Sequence, residues 1–371
     1  MKLLVFPRDP NPYQGLLYGE MQRLGVHVSY IGGLTPSRTL NLLLLPLELA
    51  ARRMSGARVI HLHWVFAFGF PGGRRFNVMR RMAYVWFLLW LRSCRVLGLH
   101  LVWTAHNVLP HGRVFPDEVS ARRALVKASD LVVAHSQSAL TELAALGATA
   151  RRSAVIPHGP ITLKPVITPL GGHGISDEPC RFLFFGRVQE YKGVDDLLEA
   201  FAAVPDDVVA HLTVAGQCDD PSLRSRLREL ARKSGARLVL RLERIPEQDL
   251  AELLAAADAV VLPFRTVTTS GSAMLALSHG RPLIVPDLPA LADLPDQAVL
   301  RYDGNVAALT AALTRLAQAD GETLATMSRA ARRYAFRATW EEVAARTKAE
   351  LLSVLGTAPG ADRCGRPARA V

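Results

Sequence analysis

Two cations five residues apart are the strongest chemical signal in this sequence. In FLFFGRVQEYKGVDDLLEAF an apolar run that reads as a strand ends at Gly186, Arg187 and Lys192 follow, and Gly193 permits a tight turn into a helix. Two positive side chains at a helix N-terminus suit a diphosphate, because the backbone N–H groups and the helix dipole add to their charge. The competing reading is an ordinary strand–loop–helix with solvated basic residues. A second group, Thr268, Thr269, Ser270, Gly271 and Ser272, precedes another helix and offers hydroxyl and backbone donors to a phosphate. A plain N-cap at Ser270 or Ser272 would explain the same residues.

The first half of the chain supplies the other reactive groups. VWTAHNVLPHG puts His106 and Asn107 immediately after a strand, and VIHLHW places His61 and His63 on one strand face, with Trp64 beyond. His61 reads as a satisfied core residue, whereas His63 and His106, nearer strand ends, read as site residues. In the loop FPRDPNPYQGLLYGEM, Asp9 is the candidate base, with Tyr13 and Gln14 as acceptor contacts; a turn built on Asp9, Pro10 and Asn11 is the alternative. The pairs Asp195–Asp196, Asp206–Asp207 and Asp219–Asp220 lack metal-ligand spacing, and two of them lie where helix starts or turns prefer Asp, so no metal is expected.

These residues need a scaffold that delivers strand ends to one edge. Apolar runs of four to six residues alternate with helical stretches in both halves, the signature of βαβ units with parallel sheets. Ligands of open α/β sheets bind beyond the carboxyl ends of the strands, which is where the residues above fall. The expected organisation is an N-terminal acceptor-binding domain over 1–163, a Pro- and Gly-rich linker over 164–179, and a C-terminal donor-binding domain over 180–335. A helix over 336–356 is expected to pack back on the first domain, and 357–371 reads as a disordered tail.

Composition bounds the partners. Lys and Arg outnumber Asp and Glu by 44 to 33, and the formal charge of +11 points to an anionic partner or to solubility alone. The basic residues bracket aromatics in an apolar helix instead of tracking a groove, which argues against nucleic acid. That helix, around MAYVWFLLWL, is about half the length needed to span a bilayer. Arg74, Arg75, Arg80, Arg81, Arg92 and Arg95 flank its Tyr84, Trp86, Phe87 and Trp90, as in an interfacial helix on anionic lipid; a plain core helix has the same composition. The four cysteines, Cys94, Cys180, Cys218 and Cys364, show neither metal spacing nor a disulfide framework, and the start lacks the apolar run of a signal peptide. A cytoplasmic protein, peripheral on the inner face of the plasma membrane, is the expectation.

The order of these elements resembles GT-B glycosyltransferases, particularly the large retaining family four. FFGRVQEYKG is similar to their G-R-x4-K-G element, IPHG sits where their first domain closes, LTVAGQ resembles the next strand, and HGRPLIV resembles x-G-x-P-V-V. The resemblance implies two Rossmann-like doubly wound domains facing a central cleft. It assigns Gly186, Arg187, Lys192 and Gly193 to the donor diphosphate of a UDP- or GDP-linked sugar, with no cofactor, and His106 to the donor sugar or its phosphate. Family members carry two glutamates eight positions apart, whose places fall here on Val267 and Leu275. Neither can ionise, so the ribose and sugar contacts must be rebuilt, with Ser270, Gly271 and Ser272 keeping the phosphate.

Loss of the glutamates also bears on stereochemistry, because β-mannosyl and β-glucuronosyl transferases of bacterial surface polysaccharides resemble the chain in lacking them. Inversion needs a general base in the first domain, and that is the favoured expectation. The function expected is metal-independent transfer from a nucleotide sugar to a lipid-linked or other surface-glycan acceptor. A non-catalytic GT-B partner subunit and a nucleotide-sugar epimerase are the alternatives, the latter disfavoured by the missing carboxylates.

Overall fold

The computed structural model describes residues 1–9, 11–73, 75–110, 112–163, 179–267 and 270–356. Arg74, Thr268, Thr269, almost all of the expected linker and the expected tail lie outside the described residues. The chain forms two compact units, one of Met1–Pro157 with the segment from Trp340, the other of His158–Thr339.

The first unit alternates strand and helix: β1 (Lys2–Phe6), α1 (Pro12–Arg23), β2 (His27–Tyr30), α2 (Arg38–Met54), β3 (Val59–Leu62), α3 (Asn77–Val96), β4 (His100–Ala105), α4 (Glu118–Ala128), β5 (Leu131–Ala134), α5 (Gln137–Ala145) and β6 (Ser153–Val155). Its strands form a parallel sheet in the order β2-β1-β3-β4-β5-β6. The inner strands are apolar along both faces because helices cover both sides of a parallel sheet. Side chains of Asn11, Ser37, Asp117 and Ser136 cap α1, α2, α4 and α5, which explains why those helices start where they do. The strand order reverses between β1 and β3, so the carboxyl ends of these two strands open on a switch point.

Helix α3 differs from the expectation for its aromatics. Ala83, Phe87, Trp90, Leu91 and Cys94 face the core, Tyr84 and Trp86 pack against it, and the Trp86 indole donates to Leu42 O at 3.0 Å. The 3.6-residue period leaves a different stripe outside: Val78, Met82, Val85, Leu89 and Val96, spaced as one helix face, all about half exposed or more. Arg75, Arg81, Arg92 and Arg95 are exposed around it. Among the described residues no helix is long and apolar enough to cross a membrane.

The second unit contains β7 (Cys180–Phe185), α6 (Val194–Ala202), β8 (Ala210–Ala215), α7 (Pro221–Ala231), β9 (Leu238–Arg241), α8 (Glu247–Ala256), β10 (Ala259–Val261), α9 (Gly271–Ser278), β11 (Leu283–Pro286), β12 (Val299–Tyr302), α10 (Val306–Ala317) and α11 (Gly321–Ala335). Its parallel sheet runs β12-β11-β10-β7-β8-β9, with apolar cores on its two faces and a switch point between β7 and β10. The segment before the expected linker belongs here: Ile161 N–H donates to Ser278 Oγ at 3.1 Å and Leu163 N–H to His279 Nε2 at 3.2 Å. The units therefore part at Pro157 instead of residue 163, because these bonds hold the segment to α9.

The last helix, α12 (Trp340–Gly356), returns to the first unit. Lys348 Nζ donates to Leu24 O at 2.7 Å, Arg346 to Val155 O at 2.9 Å, and Arg152 pairs with Glu350 at 3.0 Å.

Candidate functional site

Two glycines bring the strand ends of the second unit close enough to form a site. Gly216 follows β8, and a Cβ there would lie 1.9 Å from the carbonyl oxygen of Gly186, so the backbones after β7 and β8 touch. Gly193 has φ +62° and a Cβ on it would lie 2.1 Å from Pro263 O, so the loop after β7 presses on the backbone after β10. Tyr191 O accepts the Arg265 N–H at 2.8 Å across the same gap. The β7–β10 switch point is thus a fixed floor of main chain.

Lys192 lies on that floor, 8% exposed. Its Nζ is 5.9 Å from the ring centres of both Phe184 and Phe264, and 3.1 Å from where a Gly186 Cβ would stand. Ser272 Oγ is 3.3 Å from that same point, so the ammonium and the start of α9 flank the Gly186 backbone. Burial alone pulls the Lys192 ammonium down to about 8, and among the described residues no carboxylate pairs with it. Ser270 caps α9, its Oγ accepting the Ala273 N–H at 3.0 Å. The first N–H groups of the helix, those of Gly271 and Ser272, have no acceptor within the helix and add their dipoles to the cation.

The other donor residue is placed differently. Arg187 is exposed and grips Asp219 through Nε at 3.0 Å and Nη2 at 2.6 Å, while Gln217 Nε2 holds the other oxygen of that carboxylate. Hydrogen bonds from Gln217 and Arg187 keep the Asp219 carboxyl below the usual range. Asp220 caps α7, and Asp195 and Asp196 belong to an ion-pair network with Arg226 and Arg265. At the positions of the expected glutamates, Leu275 is buried in the core and Val267 packs against it.

In the first unit the β1–β3 switch point gathers histidines. His61 bonds Tyr18 Oη through Nδ1 at 2.8 Å and Thr104 Oγ1 through Nε2 at 2.7 Å, as suits a core residue. His63 joins Tyr18 through Nε2 and His106 through Nδ1, the latter at 2.9 Å. His106 Nδ1 meets His135 Nε2 at 3.2 Å, and His135 Nδ1 meets Ile156 O at 3.0 Å. Tyr13 turns its ring edge to His63, His106 and His135 with its hydroxyl on Thr104, and Trp64 stacks on His106 at 4.6 Å. Burial lowers His61 to about 3 and His63 well below the ordinary histidine range, so these rings stay neutral at pH 7.

Two acceptor expectations change. Tyr13 and Gln14 are buried, and Gln14 uses both ends of its amide on the loop itself, donating to Pro7 O at 2.8 Å and accepting the Asp9 N–H at 3.0 Å. Gln14 is a brace of the loop for that reason. Asp9 Oδ1 accepts the Asn11 N–H at 2.9 Å, the turn weighed as its alternative role. Asp9 also lines a cavity of about 360 Å³ at the end of β1, with Arg8, Tyr30, Arg38 and Glu48. Asn107 is half-buried next to His106. Sequence reasoning missed His135, Tyr18 and Thr104. WTAH and VVAH end alike, and the register pairing Ala105 with Ala134 sets His106 beside His135, a signal visible once both strands are aligned by their ends.

Residues 179–319 match the glycosyl transferases group 1 family. A GDP-mannose:glycolipid 4-beta-D-mannosyltransferase of Xanthomonas campestris pv. campestris is 28% identical over 260 residues, covering 66% of this chain and 67% of that protein. A D-inositol 3-phosphate glycosyltransferase of Xylanimonas cellulosilytica is also 28% identical, over 64% of this chain and 58% of its own length. Among solved structures, sucrose-phosphate synthase from Thermosynechococcus elongatus superposes with a TM-score of 0.74 at 18% identity, covering 96% of this chain and 99% of that one. Anabaena HepE in complex with UDP gives 0.66 at 15% identity, over 95% and 99%. Two doubly wound parallel sheets, the group 1 match and these relatives together identify the chain as a GT-B-fold glycosyltransferase.

Proposed function

We propose that the chain transfers a sugar from a nucleotide diphosphate donor, with Lys192 and the start of α9 holding the diphosphate. The observation that carries this is the buried Lys192 ammonium, with burial as the cause of its lowered proton affinity and, among the described residues, no carboxylate paired with it. A leaving diphosphate gains negative charge as the glycosidic bond breaks, and a desolvated cation stabilises that charge most where it develops. Arg187 joins at small cost, because an exposed ion pair such as the one with Asp219 contributes only ~0–1 kcal/mol. The cation and the helix start supply the neutralisation, so the proposed reaction uses no metal.

The relatives support the donor and acceptor classes. The Xanthomonas enzyme is named for GDP-mannose and a glycolipid, and HepE has been solved with UDP and UDP-glucose. We assign this chain a UDP- or GDP-linked sugar and a lipid-linked acceptor. A β-linked product favours inversion, which requires a base, and Asp9 is assigned to acceptor binding at its cavity. The stripe Val78, Met82, Val85, Leu89 and Val96 among exposed arginines suits an anionic bilayer surface, where each cation contributes about 1 kcal/mol and the apolar side chains enter the headgroup boundary.

Three measurements test these assignments. Arg187→Ala and Lys192→Ala should each lower nucleotide-sugar turnover by about two orders of magnitude in a folded protein; near-normal rates in both would remove the diphosphate assignment. Lys192 loses its proton near 8 in the folded chain and near 10.5 when unfolded. Between those values the unfolded state binds more protons, so stability rises as pH rises through that window, and at pH 7 the whole cost, about 3 kcal/mol, is present. Lys192→Met should therefore raise unfolding stability at pH 7 by about 1–3 kcal/mol, the gain shrinking toward pH 10. A variant less stable than wild type at pH 7 contradicts an unpaired buried cation. Finally, the protein should pellet with anionic vesicles at low salt, be released at high salt, and lose binding when Arg75, Arg81, Arg92 and Arg95 become Ser. Equal binding to neutral vesicles, or a variant that still pellets, excludes this surface.

A further inference from the structure

Four histidines of the first unit, His61, His63, His106 and His135, are linked through Tyr18 by hydrogen bonds in an unbroken chain that ends on a group with no proton to give. Ile156 O can only accept, so the proton of His135 is on Nδ1 and its Nε2 carries a lone pair. His106 must then donate from Nδ1 to His135, and its bare Nε2 accepts from His63 Nδ1. By the same logic Tyr18 donates to His63 Nε2, His61 donates from Nδ1 to Tyr18, and Thr104 donates to His61 Nε2. One carbonyl thus sets the neutral form of each of the four rings to Nδ1–H.

That polarity has a consequence at one link. The His106–His135 bond is the longest of the chain at 3.2 Å. It also lies where the chain comes nearest to solvent, since both rings are 8% exposed against 0% for His61 and 2% for His63. When it opens, an N–H on His106 and a lone pair on His135 face the same gap. We propose that a hydroxyl group enters this gap, accepting from His106 Nδ1–H and donating to His135 Nε2, and that His135 is the general base of the transfer. The assignment rests on the glycosyl-transfer reading. In the step, the hydroxyl O–H bond breaks and its proton goes to His135 Nε2. The oxygen's electron pair forms the bond to the anomeric carbon, and the pair of the old C–O bond leaves with the diphosphate. Ile156 O holds the other N–H of the imidazolium, the orienting part that a carboxylate plays in hydrolytic triads. The proton is lost to water at the exposed edge once product leaves.

The full chain labelled with 15N-histidine decides the tautomers. Two-bond proton–nitrogen spectra at pH 7.5, assigned through single His→Asn variants, should show Nδ1–H and bare Nε2 at His61, His63, His106 and His135. A single Nε2–H ring among them overturns the proposal. The role is read from GDP and UDP release when GDP-mannose and UDP-glucose are supplied with water as the hydroxyl. His135→Asn should slow release at least 100-fold with donor affinity unchanged. A His135→Asn enzyme at the wild-type rate refutes the base. If the wild type releases neither nucleotide, the donor reading fails, and glycerol titration then judges the hydroxyl site. Shifts confined to His106 and His135 support it, and shifts at neither overturn it.

Discussion

A buried ammonium that pairs with no carboxylate among the described residues organises the second unit. Taking a cation out of water is costly unless a charge or dipole replaces the solvent, and at Lys192 the replacements are two aromatic faces and the start of α9. The rest of the local structure serves to hold that position. Gly193 lets the loop turn against Pro263, Gly216 lets β8 close on Gly186, and Ser270 fixes where α9 begins. A Cβ at Gly193 or Gly216 would stand 2.1 or 1.9 Å from a backbone carbonyl oxygen, so a side chain at either would force the floor apart.

The first unit solves a different problem, that of burying many polar rings at strand ends. It does so by making each ring nitrogen the partner of the next group, from Thr104 to Ile156 O. Parallel register makes this possible, because β3, β4 and β5 end at similar levels and deliver His63, His106 and His135 side by side. Fully satisfied polar networks of this kind fix one arrangement of the core, and they leave function only at the link that can open.

Much of this was legible in the sequence, and the limits are physical. The alternation of apolar runs and amphipathic stretches gave both sheets, and Gly186, Lys192 and Gly193 were readable because loop chemistry at a strand end is local. What required coordinates was long-range pairing. The grip of Asp219 on Arg187 joins two loops 32 residues apart, and the amide of Gln14 bonds backbone that no spacing rule points to. Helix α3 shows the same limit: its composition fits an interfacial helix, but only packing against α2 and α4 decides that Phe87 and Trp90 turn inward and the aliphatic stripe outward. His135 joins His106 only through the pairing of β4 with β5, which is long-range in the same way.

The most direct test of the account is the titration of Lys192 itself, followed by carbon NMR of its side chain with and without nucleotide diphosphate. The free protein should show a midpoint of about 8, and saturating GDP or UDP should raise it by about one unit or more, because an anion at the ammonium favours the charged form. A midpoint near 10.5 without nucleotide, or one that neither nucleotide moves, would contradict the central claim that this lysine holds the donor diphosphate.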